Sequence, residues 1–397
     1  MDKLGVFTIA RQPRLLFGAG SIADLPDVVA EFAARRVLIV TGSGSVRRTS
    51  AWNDLVTAFS ASDLDLHEYS GDGEPTATQV DEAAEHARKH AVDLVVAIGG
   101  GSVVDLGKAV GAAARMPDSV ERYLEGVGDR EPSGDTLPVI AVPTTAGTGA
   151  EATKNAVISR LGPDGYKKSL RHDAFVPCVA IIDPYLHVGC PRDVSAASGL
   201  DAITQLIEAY VSTKATPFTD ALALSGLSYA SASFRRVLAT PGDVDARAGM
   251  AYAAYLSGVC LANAGLGLVH GAAAPIGAVR AIPHGVVCGN LLPVTVAATV
   301  EAAHRENNTS VIARYAACAR ALAAESVADE SHRDDRSASR ALIDLLSEFD
   351  EIAGLPRFGA YGFTADDGER VVRETSGKNH PVAFTADEIA SIIGSRV

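Results

Sequence analysis

At 397 residues the chain is long enough for two domains, each with its own core. With 35 Lys and Arg against 48 Asp and Glu, it carries a net charge of −13 and no dense basic run. That excludes nucleic acid and anionic membrane as bulk partners, though one local basic pocket for a phosphate is still allowed.

The start, MDKLGVFTIARQPRLLFG, lacks the charged lead and apolar core of a signal peptide, and no apolar run is read as membrane-spanning. Phe7 to Leu16 alternates loosely and predicts an edge strand or hairpin, ending at Phe17-Gly18-Ala19-Gly20 before a helix begun by Ser21. Arg36 to Thr41 is a buried strand closing on Gly42-Ser43-Gly44-Ser45, with a helix after it, and Asp81 to Lys89 is a charged helical stretch. Leu94 to Ile98 is a strand delivering the chain into Gly99, Gly100, Gly101 and Ser102, after which Val103, Val104, Leu106, Ala109 and Val110 recur at helical spacing. Leu137 to Val142 is a further strand ending in PTTAGTGAEAT, and Val179 to Ile182 is the last. Strands alternating with helices predict an α/β domain with a parallel sheet and ligands at the carboxyl ends of the strands.

Beyond Pro191 the texture changes to long Ala/Leu-rich helical segments through about Gly354. The expected organisation is a nucleotide-binding α/β domain over 1–190 and an all-α domain over 191–397. Ala323 to Arg340 is polar, a solvated loop or exposed helix. Cys178, Cys190, Cys260, Cys288 and Cys318 are odd in number, scattered and without a CxxC pair, which predicts no disulfide framework and a reducing cytoplasm.

Two constellations bear chemistry. Glycines at 99–101 lack Cβ atoms and let a phosphate approach the main chain, and the helix start beyond offers unpaired N–H groups; a tight strand-to-helix turn would need the same residues. Thr144, Thr145 and Thr148, with Gly147 and Gly149 between them, can donate to phosphate or ribose oxygens, and two such segments at strand ends of one sheet favour a dinucleotide diphosphate. In the helical half, Asp201 and Gln205 share one helix face, and His270 and His284 lie in GLGLVHGAAAPIGAVRAIPHGVVCG. A carboxylate, two imidazoles and an amide oxygen can hold a divalent metal, while a helix cap and two singly packed histidines are the alternative that spacing alone favours.

FGAG, GGGSVVDLGKA, PTTAGTGAEAT, VAIIDP, SGLDAITQLIEAYVS, GLVHG and IPHGVVCG resemble, in order and approximate spacing, the motifs of the iron-containing (group III) alcohol dehydrogenase family from Phe17 to Pro293. The resemblance implies an α/β domain and a helical domain flanking a cleft, where nicotinamide meets a small alcohol or aldehyde beside a divalent metal, Fe2+ or Zn2+. It maps the metal ligands to Asp201, Gln205, His270 and His284, of which Asp201, His270 and His284 form the catalytic set. It places the diphosphate and ribose at Gly99, Gly100, Gly101, Ser102, Thr144, Thr145 and Thr148, with Asp105 orienting the turn and Lys167 or Lys168 near the nicotinamide. A homodimer is the assembly it implies.

Two positions depart from the pattern. Gln205 stands where the family has its first histidine ligand, and Ala274 stands where many members carry another histidine. A neutral amide is a weaker ligand than imidazole, which leaves a weakened metal site, a metal-independent reductase or a changed chemistry. Gly42 and Ser43 sit where members selecting NAD tend to place an Asp, and Arg47 and Arg48 follow; this favours NADP over NAD. Alternatives are a reductase of an activated oxo acid similar to maleylacetate reductases, with Arg171 or Arg280 facing the acid, and a non-redox lyase resembling dehydroquinate synthase or a nucleotide-binding protein.

Overall fold

The computed structural model describes residues 5–44, 46–60, 63–162, 164–323, 334–377 and 379–397. Strands β1 (Arg14–Phe17), β2 (Arg36–Thr41), β3 (Asp65–Ser70), β4 (Leu94–Gly99) and β5 (Val139–Pro143) precede a short hairpin of β6 (Asn155–Arg160) and β7 (Tyr166–Arg171). Strand β8 (Val179–Ile182) then completes a six-stranded parallel sheet of order β1-β8-β5-β4-β2-β3. Helices α1 (Leu25–Glu31), α2 (Ser50–Ser60), α3 (Ala77–Lys89) and α4 (Gly101–Ala113) cover the sheet. That is why β4 and β5 are buried along their whole length: a parallel sheet covered on both faces requires continuous apolar runs. Alternate residues feed two cores, Leu38, Val40 and Val95 on one face and Val37, Ile39, Leu94 and Val96 on the other.

Of the edge strand or hairpin expected over Phe7 to Leu16, the described residues form the edge strand. Only Arg14–Phe17 is a strand, and it pairs in parallel with β8, Arg14 opposite Val179. The β6–β7 hairpin escapes the sequence reading because β7, YKKSLR, carries three cations and no β-branched residue, so that only β6, NAVISR, with Val157 and Ile158, offers a strand signal.

Helices α5 (Arg192–Val211), α6 (Pro217–Ala239), α7 (Val244–Ala264), α8 (Leu268–Val279), α9 (His284–Arg305), α10 (Thr309–Leu322), α11 (Asp335–Ala353), α12 (Ala365–Glu374) and α13 (Ala386–Gly394) make up the second half. The helical region therefore extends past Gly354. Within the polar stretch Ala323 to Arg340, residues 324–333 lie outside those described, and its second part is helix α11, capped by Asp334, whose carboxylate accepts from the Ser337 N–H at 2.9 Å. Helix α9 does reach membrane-spanning length and apolarity, contrary to the sequence reading, but 78% of that window is buried inside the protein, and it serves as a core helix.

The halves meet where Gly149, at φ +60°, lies against Gly258 of α7. A Cβ on either glycine would strike the other's backbone. This contact sets the loop after β5 directly over the helical half.

Candidate active site

The candidate cofactor cradle lies at the carboxyl ends of β4 and β5. Gly100 precedes α4 with no side chain capping the helix, so its first N–H groups are available to an anion. The Thr144 N–H donates to the Gly99 carbonyl at 2.9 Å, which draws the glycine and threonine loops together. A Cβ at Gly101 would collide with the Thr148 hydroxyl. Gly42 and Ser43 follow β2 beside them, and the Ser70 hydroxyl donates to the Gly42 carbonyl at 3.0 Å.

Two expected contributors act elsewhere. Asp105 does not orient the glycine turn: its carboxylate pairs with Lys108 at 2.8 Å and accepts from the Val157 N–H of β6 at 3.1 Å. The Arg47 guanidinium is held by Glu68 at 2.7 Å and by the Thr41 hydroxyl at 3.1 Å, with Trp52 beneath it, so it is not a free cation for a 2′-phosphate. Lys108, fully buried on α4, was not singled out in the sequence. It donates to the carbonyls of Ala150 and Asn155 and to the Thr153 hydroxyl, and so clamps the loop after β5 onto α4.

The helical half brings Asp201 of α5, His270 of α8 and His284 of α9 together as expected, and adds Cys288 of α9. Asp201 Oδ1 lies 3.2 Å from His270 Nε2 and 3.6 Å from His284 Nε2, and Cys288 Sγ lies 3.6 Å from both nitrogens. Asp201 is buried, and Oδ1 has no hydrogen-bond partner beyond these convergent atoms. His270 donates from Nδ1 to Glu208 Oε2 at 2.7 Å, and Glu208 Oε1 accepts from the Val269 N–H at 2.7 Å, fixing the ring with Nε2 inward. Cys288 and Glu208 were missed. The available signal was helical spacing: Cys288 follows His284 by four residues, and Glu208 follows Asp201 by seven, each on its partner's face.

Gln205 is not turned toward this cluster as a ligand. Its amide nitrogen donates to the Thr148 carbonyl at 3.3 Å and to Asp201 Oδ2 at 3.4 Å, while its oxygen accepts from the Ser257 hydroxyl at 3.2 Å. Reversing the amide would set its oxygen against a carbonyl and a carboxylate, acceptor against acceptor, so the orientation follows from the neighbours.

Burial opposes ionisation of Asp201, but His284 and His270, with a hydrogen bond from Cys288, hold it at about 2. Burial lowers His284, and with Lys167 and His270 close by this outweighs the pull of Asp201, leaving it neutral at about 4. Burial also disfavours a charged His270, yet its contacts with Cys288, Asp201 and Glu208 raise it well above the ordinary value. Burial pushes the Cys288 thiol up to about 12. The cluster is thus one buried carboxylate with two imidazoles and a thiol aimed at one point, the chemistry of a divalent transition-metal site.

A cavity of about 430 Å³ joins cradle and cluster, lined among others by Gly101, Ser102, Thr148, Lys167, His270 and His284. Lys167 reaches it from β7 and forms an ion pair with Glu74, also on its wall. Lys168 is exposed on the opposite face of the strand and does not line it. Arg171 lines it, whereas Arg280 is held by Asp367 at 2.8 Å and does not.

A parallel-sheet domain whose glycine–threonine cradle faces a buried metal-type cluster on a helical domain defines a nucleotide-dependent, metal-assisted oxidoreductase. Residues 12–184 match iron-containing alcohol dehydrogenase, and residues 195–397 match the Fe-containing alcohol dehydrogenase family, C-terminal. The chain belongs to the iron-containing alcohol dehydrogenase family and is an oxidoreductase of the alcohol dehydrogenase type. It is 31% identical to the NAD-dependent methanol dehydrogenase of Bacillus methanolicus over 387 residues, 96% of this chain and 97% of that one. It is 37% identical to lactaldehyde reductase of Escherichia coli K12 over 281 residues, covering 70% and 72%. Among solved structures, alcohol dehydrogenase from Oenococcus oeni superposes with a TM-score of 0.86 at 26% identity, covering 99% of this chain and 100% of that one.

Proposed function

We propose that the cleft interconverts a small alcohol and its aldehyde by hydride transfer with NAD(P), beside a divalent metal, iron or zinc, held by Asp201, His270 and His284. The observation that carries this reading is that one cavity of about 430 Å³ is lined both by the phosphate cradle and by the two imidazoles. The orphaned, buried Asp201 Oδ1 and the uncapped start of α4 fit a metal and a dinucleotide respectively. When bound, those groups supply Lewis-acid stabilisation of charge on the substrate oxygen and a hydride acceptor or donor.

The chain's own residues do the positioning. The start of α4 and the hydroxyls of Ser102, Thr144, Thr145 and Thr148 bind diphosphate and ribose. Glu208 keeps Nε2 of His270 directed inward. Lys167, paired with Glu74 on the cavity wall, is placed to hold a proton for the substrate oxygen where Ala274 leaves no imidazole. Leu261, Leu266 and Val157 give the cavity an apolar side suited to a short carbon chain. Gly42 sets no carboxylate against a 2′-phosphate, so NAD and NADP are both accepted and NADP is favoured, without help from Arg47. The five free cysteines suit a reducing cytoplasm, and the proposed assembly is a homodimer, tested by light scattering.

Arg171, on the cavity wall although paired with Glu125 at 3.2 Å, is the residue that favours one alternative, a reductase of an oxo acid. The test is reduction of a panel of short aldehydes and oxo acids with NADH and NADPH, before and after chelation. Aldehyde turnover that falls more than about 100-fold on chelation and in Asp201→Asn supports the main reading. Oxo-acid turnover indifferent to chelation and lost in Arg171→Ala supports the alternative, and absence of dinucleotide binding overturns both.

A further inference from the structure

We infer that Cys288 is a thiolate ligand of the metal in this cleft, taking the coordination position that Gln205 does not fill, and that the resulting Asp–His–His–Cys set selects zinc over iron. This rests on the reading of the cleft as a metal-assisted site.

The distances decide between a ligand and a packed thiol. With zinc–nitrogen and zinc–oxygen bonds of about 2.0 Å and a zinc–sulfur bond of about 2.3 Å, a tetrahedral centre separates sulfur from nitrogen by about 3.6 Å and nitrogen from oxygen by about 3.3 Å. Cys288 Sγ stands 3.6 Å from both imidazole nitrogens, and Asp201 Oδ1 stands 3.2 and 3.6 Å from the same two atoms. All four donor atoms lie within 4.8 Å of one another. A hydrogen-bonded arrangement of the same atoms would need the sulfur to donate to one ring and accept from the other while His270 Nε2 served both Cys288 and Asp201 Oδ1, whereas one cation at the centre would satisfy all four donors at these spacings.

The fifth side chain at the centre is tied elsewhere, since Gln205 gives its amide nitrogen to Thr148 and Asp201 and turns its oxygen to Ser257. Chemistry follows from the exchange. An imidazole-rich site accepts several divalent metals, whereas a thiolate is a soft donor that favours zinc over ferrous iron, reinforcing the general order of divalent affinities. As a ligand the Cys288 sulfur would be a thiolate, its proton released to solvent on metal binding.

The purified full-length protein is stripped with a chelator and reloaded with Co2+, a spectroscopic stand-in for zinc. The wild type is expected to show a thiolate-to-cobalt charge-transfer band in the near ultraviolet together with visible d–d bands. Cys288→Ser should lose the charge-transfer band, keep the d–d bands, and bind Zn2+ more than about 100-fold more weakly, whereas Gln205→Ala should keep both sets. Anaerobic competition between equal Fe2+ and Zn2+ should leave zinc in the wild type.

Stoichiometric Co2+ without the charge-transfer band, or a band surviving in Cys288→Ser, overturns the assignment, and retention of iron overturns the selectivity. Failure of Co2+ and Zn2+ to bind the wild type at all overturns the metal reading of the cleft, and this assignment with it. Should Cys288→Ser fail to fold, the wild-type spectrum alone decides.

Discussion

The side-chain amide of Gln205 donates to the backbone carbonyl of Thr148 at 3.3 Å, joining the helix of the metal cluster to the loop of the cofactor cradle. A residue that the resemblance maps to a ligand position is, in this structure, a tether between the two halves of the candidate site. Gln205→Leu keeps the volume and removes the donor, so loss of about 1 kcal/mol of hydrogen bonding should raise the KM for the dinucleotide about fivefold. Bound metal, measured by elemental analysis, should not change. A fall in metal content at constant KM would return Gln205 to the ligand set.

The sheet was legible because a covered parallel sheet demands uninterrupted apolar runs, and Arg36–Thr41 is read with its bounds unchanged. The glycine turn after β4 and the threonine loop after β5 were equally plain. Asp201, His270 and His284 could be grouped only through resemblance, since 83 residues separate Asp201 from His284. Cys288 is not among the ligand positions that the resemblance implies, although its four-residue spacing from His284 on α9 points to it. The contacts of Lys108 and Asp105 were beyond reach: their partners at Asn155 and Val157 arrive through a hairpin whose second strand, YKKSLR, gives little signal.

Coenzyme selection is testable at Gly42. Its φ is not positive, and an added Cβ would meet Val103 Cγ2 at 3.4 Å, a contact a methyl group can accept with little adjustment. Gly42→Asp would set a carboxylate at the end of β2, able to bond the ribose hydroxyls of NAD and to repel the phosphate of NADP. The ratio of kcat/KM for NADH over NADPH should rise at least about tenfold, equivalent to about 1.4 kcal/mol. An unchanged ratio would remove Gly42 from the ribose pocket.

Lys108 joins stability to the cradle. Its buried ammonium serves Asp105, the Thr153 hydroxyl and two carbonyls at once. Lys108→Met leaves those acceptors and the Asp105 carboxylate without their cation, a loss of about 3–5 kcal/mol. Urea unfolding should register it, together with weaker dinucleotide binding as the loop after β5 comes free of α4. Unchanged unfolding would mean that water replaces the ammonium without penalty.

His187 makes the fold sensitive to acid. The ring is buried behind the cradle and donates from Nε2 to the Pro143 carbonyl at 3.0 Å, immediately before Thr144, while Nδ1 has no partner. Burial lowers its pKa to about 4; the Pro143 carbonyl draws it upward and Arg247 pushes it further down. In the unfolded chain it titrates near 6.5, so between about pH 6.5 and 4 the unfolded state binds more protons than the folded one. Its contribution is therefore fully present above about pH 6.5 and is lost as the pH falls through that window, about 2 kcal/mol by pH 5 and about 3 kcal/mol in all. His187→Gln keeps a donor for Pro143 and cannot take up the proton. Between pH 7.5 and 5 the wild type should lose about 2 kcal/mol more in urea unfolding than this variant does, and equal losses would show that the ring gains its proton without disturbing the fold.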